Sequence, residues 1–436
     1  MNRVCLAAFL YFVASAPGWA QQPEPEIVSY INSIKAIDNH AHVTALDREH
    51  DKGYDQLRCD DLPSSNALPP ANTRFGADQQ AAYKTLYGFD AKTGDEAELK
   101  KVTQLETAAR REHGADFYPW VMEKAGIETV FANRTAMAPE MKPPRLRWVA
   151  YEDALIFPLD NSRQKAVNPD RRVFYGDGEN LLNTYLQDAG ISRIPATLDA
   201  YVEKVVIATL QKQKNAGAMA VKFEAAYLRP LDFAPASNDE AARVYAKYAA
   251  GGIATPAEYK TLQDYLFKQI ALEAGRLGVA VHFHTGSGCG DFFDDSGADP
   301  MLLSPILNDP DLRKTNIVLL HGNPPRERSV SMLILKPNVY TDISVLELLW
   351  SPPELARILR PYLETAPEHV MFGTDAGPFA PGLEWEETTI IGTQHARRAL
   401  AIVLSEMVRD GTITRDRAKE IATLVLRGNA AKLYGL

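Results

Sequence analysis

The chain has no surplus of basic residues. Lys and Arg number 47 against 56 Asp and Glu, a formal charge of −9. An acidic surface speaks against nucleic acid, whose binding is driven by cations that neutralise phosphates. There is also no apolar run of the roughly 20 residues that a bilayer span needs. The nearest approach, 5–16, is shorter and is broken off by Pro17 and Gly18. Cysteine is scarce, with three residues at Cys5, Cys59 and Cys289. Internal repeats and low-complexity tracts are missing. Hydrophobic residues at 46% and charged residues at 24% are ordinary for a soluble globular protein.

The N-terminus has its own logic. Arg3, the apolar stretch 5–16 and Gly18-Trp19-Ala20 before Gln21 have the three-part layout of a secretory signal peptide over residues 1–20. Cleavage there predicts a secreted or periplasmic chain of residues 21–436, one domain, with no membrane association afterwards. Losing Arg3 takes the formal charge from −9 to about −10. Cys59 and Cys289 then remain, either as one disulfide, which export permits, or as two free thiols.

Short β-rich runs alternate with longer helical patterns, which argues for a parallel sheet. The strands are expected at 34–39, 128–132, 146–151, 219–223, 279–284, 316–320, 338–342 and 369–374. Helical patterns at 198–214, 259–277, 353–363 and 393–408 separate several of them. Eight such units predict an α/β fold, a (β/α)8 TIM barrel. A doubly wound open sheet is the other reading, but it brings a Gly-rich phosphate turn after the first strand, and here that strand ends in Asp-Asn-His-Ala-His. Helical insertions are expected after strand one (about 43–125, helical in its second half) and between strands three and four (about 151–197). Insertions of that length usually serve as lids or binding segments. Residues 21–29 read as a polar leader and 415–436 as a helical pair.

Active-site residues of such barrels stand at the C-terminal ends of the strands. Strand one ends in His40 and His42, two apart and so on the same side of an extended segment. Strand four ends in Lys222, strand five in His282 and His284, strand six in His321, and strand eight in Asp375. Five of nine histidines fall at these ends; His50, His113, His369 and His395 are scattered. Imidazoles and a carboxylate converging on one axis suit zinc, and also manganese or iron. A lysine in the apolar run Met-Ala-Val-Lys-Phe is the odd member, since lysine is seldom buried without a partner.

These segments resemble the amidohydrolase superfamily, in the amidohydrolase-related (type 2) group. The resemblance is carried by D-N-H-A-H, V-K-F-E-A-A-Y-L-R, H-F-H-T-G-S-G, V-L-L-H-G-N-P-P-R-E, N-V-Y-T-D-I-S, F-G-T-D-A and the closing N-A-A-K-L-Y-G-L. The H-T-G and D-P-M-L-L segments are most similar to the amidohydrolase half of proteins fused to a glutamine-synthetase-like domain. The resemblance implies that Lys222 reacts with CO2 to form a carbamate, an anion that bridges two metals; otherwise its stem packs and its head reaches solvent. His40, His42 and Asp375 would hold the first metal, and His284 and His321 the second. With one metal only, His321 would act as a general base. The H-T-G match favours His284 over His282, which would lie one pleat deeper, as support or core.

The activity implied is hydrolysis of an amide, ester, lactone or related C–N or C–O bond of a small molecule by water that the metal activates, with Asp375 as general base. Decarboxylation or isomerisation of a small carboxylic acid on the same barrel is the alternative. A non-catalytic exported binding protein would have no need of the full ligand set. Arg134, Tyr227, Arg229 and Arg326 follow the strands and are candidate substrate contacts, an arginine there being able to clamp a carboxylate; each arginine is equally well a loop anchor. Asp342, ending strand seven, either orients a ligand histidine or caps the next turn.

Overall fold

The structure, a computed structural model, describes residues 22–59, 62, 76–322 and 324–436; the expected signal peptide lies outside them. Eight parallel strands follow one another around the sheet in chain order. They are β1 (Ala36–Ala41), β2 (Ile127–Asn133), β3 (Leu146–Tyr151), β4 (Ala218–Phe223), β5 (Ala280–Phe283), β6 (Ile317–Leu319), β7 (Val339–Asp342) and β8 (Val370–Met371). The ends of β8 and β1 meet through Asn39 N–H to Phe372 O (2.9 Å), Asp375 N–H to His40 O (2.7 Å) and an Ala41–Ala376 bridge. The result is a nearly closed (β/α)8 barrel, as expected.

Inward-facing Ile37, Phe131, Val149, Ala220, Ala280, Val318, Leu320 and Met371 are all buried and form one cluster filling the barrel. The barrel is therefore a packed core with its chemistry confined to the rim. A far larger apolar layer joins the strands to the surrounding helices. Helix Pro256–Leu277 shows how the sequence sets its ends: Thr255 and Glu258 make a capping box, Pro256 opens the first turn, and Gly278 closes it at φ +64°. The pattern at 198–214 is one helical stretch with a π turn at Val202–Ile207.

The insertions fold largely as helices: Ala77–Tyr87, Glu96–His113 and Phe117–Ala125 in the first, with Pro169–Asp188 the longest in the second. Three expectations need correction. The supposed polar leader is helix Pro25–Ser33, because Ile27 and Ile31, four apart on one face, are buried; it packs on helices Trp385–Arg409 and Arg415–Thr423. The helix expected from 393 begins at Trp385, where Glu384 and Glu387 cap it. Strand β8 stops at Met371 because the following residues turn away, Phe372 N–H bonding Val425 O at 2.9 Å. Among the described residues no helix is long and apolar enough to cross a membrane.

Cys59 and Cys289 are disulfide-bonded across 230 residues of sequence. The bond joins the first insertion to the loop after β5, so reduction should free both segments in the unfolded chain. We expect dithiothreitol, or Cys59→Ser, to lower stability by about 2–5 kcal/mol, read by thermal unfolding. Thiol titration should find two more thiols after reduction than before it.

Candidate metal centre

The rim is organised by β1 and β8. Asp38 is fully buried and accepts from Thr374 N–H (2.9 Å) and Thr374 Oγ1 (2.6 Å), fastening the two strands beneath the site. Burial pushes its carboxyl up to about 7, with the Thr374 bonds opposing. Directly above, Asp375 Oδ1 lies 2.8 Å from His40 Nε2 and 3.2 Å from His42 Nε2. Among the described residues these three side chains alone form a His/Cys/Asp/Glu group whose ligand atoms all fall within 4.8 Å of one another.

The other predicted ligands face them. Lys222 Nζ, fully buried, stands 3.4 Å from His40 Nε2 and 3.7 Å from Glu224 Oε1. His321 Nε2 stands 3.1 Å from His284 Nδ1, and the His40 and His321 rings are 5.3 Å apart. The structure thus gathers His40, His42, Lys222, His284, His321 and Asp375 from five strand ends into one place. His282 lies beneath, its Nε2 2.7 Å from the Tyr434 hydroxyl, whereas His284, just past the end of β5, is the one that reaches the cluster.

The electrostatics divide the cluster. Burial would raise the Asp375 carboxyl, yet His40 and His321 hold it well below the usual range. Burial and the Lys222 ammonium push His40 well below its ordinary value, and burial with His321 does the same to His284. Both shifts favour the neutral imidazole, whose unprotonated nitrogen keeps a lone pair to donate. His42 differs: burial lowers it, but Asp55 and Asp375 outweigh this and raise it to about 10. A buried carboxylate contacting two imidazoles, with further imidazoles turned inward, is a donor set that fits a divalent ion.

Local backbone geometry marks the same spot. Among the described residues, the non-glycine positions with positive φ are His321 (+71°), Val345 (+64°) and Asp375 (+53°). All three sit at this rim, where the fold holds otherwise costly conformations.

Several supporting residues are not apparent from the sequence. Asp55 Oδ2 lies 2.8 Å from His42 Nδ1 and fixes which nitrogen faces Asp375. Asn133 Nδ2 lies 2.6 Å from His40 Nδ1. Ser344 Oγ lies 2.9 Å from His321 Nδ1. Asp342 accepts from His321 N–H at 3.0 Å and from Ser344 N–H at 3.3 Å, so its contacts agree with both of its expected roles.

The candidate substrate contacts divide. Tyr227 packs its ring 4.6 Å from the His284 ring, at the site. The arginines are committed elsewhere. Arg134 pairs with Asp51 and donates to Val43 O and Ala136 O, pinning the first insertion. Arg229 bonds Asp264 (2.9 Å) and Asp232 (3.1 Å) and lies over Phe233. Arg326 pairs with Asp299 at 3.0 Å. In each case the loop-anchor alternative describes the observed contacts.

The amidohydrolase family model, called Amidohydro_2, matches residues 184–436, more than half of the chain. The chain belongs to the amidohydrolase family. The matched span contains Lys222, His284, His321 and Asp375; His40 and His42 precede it and join them through the fold. Solved structures agree at the level of architecture. A protein of Lactobacillus casei assigned as a metal-dependent hydrolase aligns at TM-score 0.63 and 17% identity over 94% of this chain and 97% of that one. Glucuronate isomerase of Caulobacter crescentus aligns at 0.63 and 16% over 94% and 93%. Uronate isomerase of Thermotoga maritima aligns at 0.58 and 14% over 94% and 96%. At such identities these likenesses concern the fold alone. No curated protein matches the chain.

Proposed function

We propose that this amidohydrolase is an exported metal-dependent hydrolase acting on an amide, ester, lactone or similar C–N or C–O bond of a small molecule. The observation that carries the reading is the convergence of His40, His42 and Asp375 with Lys222 Nζ 3.4 Å from His40 and the His284–His321 pair opposite. His40, His42 and Asp375 would hold one ion, and His284 and His321 a second, with Lys222 between them as a carbamate. Carbamate formation turns a buried cation into an anion, which removes the conflict of an ammonium group among cation ligands. Zinc, manganese or iron in these places would supply Lewis acidity and make a water acidic enough to attack near neutral pH.

The protein's own groups do the rest. Asp375 Oδ receives the proton released by the attacking water and returns it to the departing nitrogen or oxygen. Asp55 holds His42 through Nδ1, and Ser344 holds His321 through Nδ1, so that both present Nε2. Tyr227 closes one wall beside His284. The disulfide fits an oxidising compartment, in line with export.

A second reading, isomerisation or decarboxylation of a small carboxylic acid, is suggested by the neighbours named as uronate isomerases. Lys222 favours hydrolysis over it, because its position suits a bridging anion. The deciding experiment combines metal analysis per chain, intact mass for a CO2 adduct and a substrate screen. The screen should cover N-acyl amino acids, dipeptides and lactones, with uronic acids and CO2 release as separate arms. Metal-dependent hydrolysis is expected. Turnover confined to the uronic acid or CO2 arm would replace the hydrolase reading with the second one.

A further inference from the structure

Beneath the metal centre a run of hydrogen bonds has only one consistent direction. Asp342, fully buried, is reached by donors alone: Asn39 Nδ2 at 2.8 Å, His321 N–H at 3.0 Å and Ser344 Oγ at 2.7 Å. The Ser344 hydroxyl proton is therefore spent on Asp342. Its oxygen, 2.9 Å from His321 Nδ1, can then only accept, and the Ser344 carbonyl, 3.2 Å from the same nitrogen, can also only accept. His321 must carry its proton on Nδ1. The lone pair is left on Nε2, the nitrogen that faces His284.

The other arm of Asp342 runs downward. Because Asn39 Nδ2 is committed to Asp342, Asn39 Oδ1 points to the barrel floor and needs a donor. It receives one from the Tyr434 hydroxyl at 2.5 Å. That hydroxyl has no second proton, so it accepts from His282 Nε2–H at 2.7 Å. Tyr434 belongs to helix Asn429–Tyr434, and its ring centre lies 4.1 Å from that of Phe131 in the floor, the planes tilted by 37°. A residue on the opposite end of the barrel is thus two hydrogen-bonded side chains away from a residue at the rim.

We propose that Tyr434 is a positioning residue for the metal centre: its phenol locks the Asn39 amide, and through Asp342 and Ser344 keeps His321 in the tautomer and strained backbone that present Nε2 as a ligand. This rests on the reading of His284 and His321 as metal ligands. Without the phenol, buried Asn39 Oδ1 loses its donor and the amide is free to turn, setting an oxygen against Asp342. Asp342 then loses one of the donors that fix it beneath His321, a residue held at φ +71°.

The test uses metal-stripped full-length protein titrated with Zn2+, alongside absorption spectra after loading with Co2+. Tyr434→Phe should fold and bind the first ion as the unaltered chain does, but weaken the second ion about 10-fold, the low end of the cost of losing a ligand's direct partner, because Asn39 and Asp342 stand between. Its Co2+ bands should change. Tyr340→Phe, which removes a phenol from the same floor cluster but outside this run, should leave both ions and the spectrum unchanged. His284→Ala separates the two ideas. If it keeps both ions, the ligand assignment fails; if it loses the second while Tyr434→Phe binds normally, the role of Tyr434 fails. Should Tyr434→Phe not fold, 15N spectra of the unaltered protein decide: His321 found with its proton on Nε2 overturns the proposal, and on Nδ1 supports it.

Discussion

Asp375→Asn should lower kcat by about 10^2- to 10^4-fold, the range that a positioned general acid–base group contributes. The choice of asparagine matters. Asp375 sits at φ +53° and its N–H is bonded to His40 O at 2.7 Å. Asparagine is among the residues that tolerate this left-handed region, so the turn that closes β8 against β1 survives. What is lost is the anion lying 2.8 Å from His40 Nε2 and 3.2 Å from His42 Nε2. The amide can neither take a proton from water nor balance a cation, and first-ion occupancy should fall along with turnover. Asp375→Ala would add backbone strain and confuse a lost function with a loosened fold. The check is kcat on a substrate found in the screen, with metal content and thermal unfolding measured on the same preparation. An asparagine variant with full turnover would remove Asp375 from the mechanism.

What could be read from the sequence follows from how local each determinant is. The barrel was legible because a strand of five or six residues and the helix after it are written in contiguous stretches, and β3 falls at 146–151 as expected. The candidate ligands were legible for a related reason: in a parallel barrel every strand end arrives at one rim, so ionisable residues such as His40, Lys222 and Asp375 are brought together by topology alone. Asp55 shows where this stops. It reaches His42 Nδ1 through the path of the first insertion, and no period or motif in the sequence encodes that path. Arg134 shows the opposite failure. It follows a strand, yet its charge is spent on Asp51 and the carbonyls of Val43 and Ala136, because a buried guanidinium has five donors to satisfy and nearby loops offer the acceptors. Tyr434 was visible in the closing N-A-A-K-L-Y-G-L, but its bond to Asn39 joins residues 395 apart in the chain.

Lys222→Met should remove the second ion and lower kcat on the order of 10^2- to 10^3-fold, the equivalent of several kcal/mol of lost charge stabilisation. The fold should persist. Lys222 is fully buried, and its Nζ contacts at 3.4 Å and 3.7 Å are longer than the 2.7–2.9 Å or so of a strong charge-assisted bond. An ammonium so weakly compensated contributes little to stability, and methionine fills a similar unbranched volume without a charge. Lys222→Arg sharpens the argument. It keeps the positive charge and the length, but a guanidinium stays protonated and offers no free amine to CO2. If the site needed a cation there, arginine would preserve activity; if it needs the carbamate, arginine should fail as completely as methionine. Intact mass supplies the independent reading, since only the unaltered chain should carry one CO2, and lose it on acidification. Reloading stripped protein with Zn2+ should likewise depend on bicarbonate in the unaltered chain and not in either variant. A methionine variant that retains both ions and normal turnover would show that the lysine of β4 packs beside the metals without bridging them.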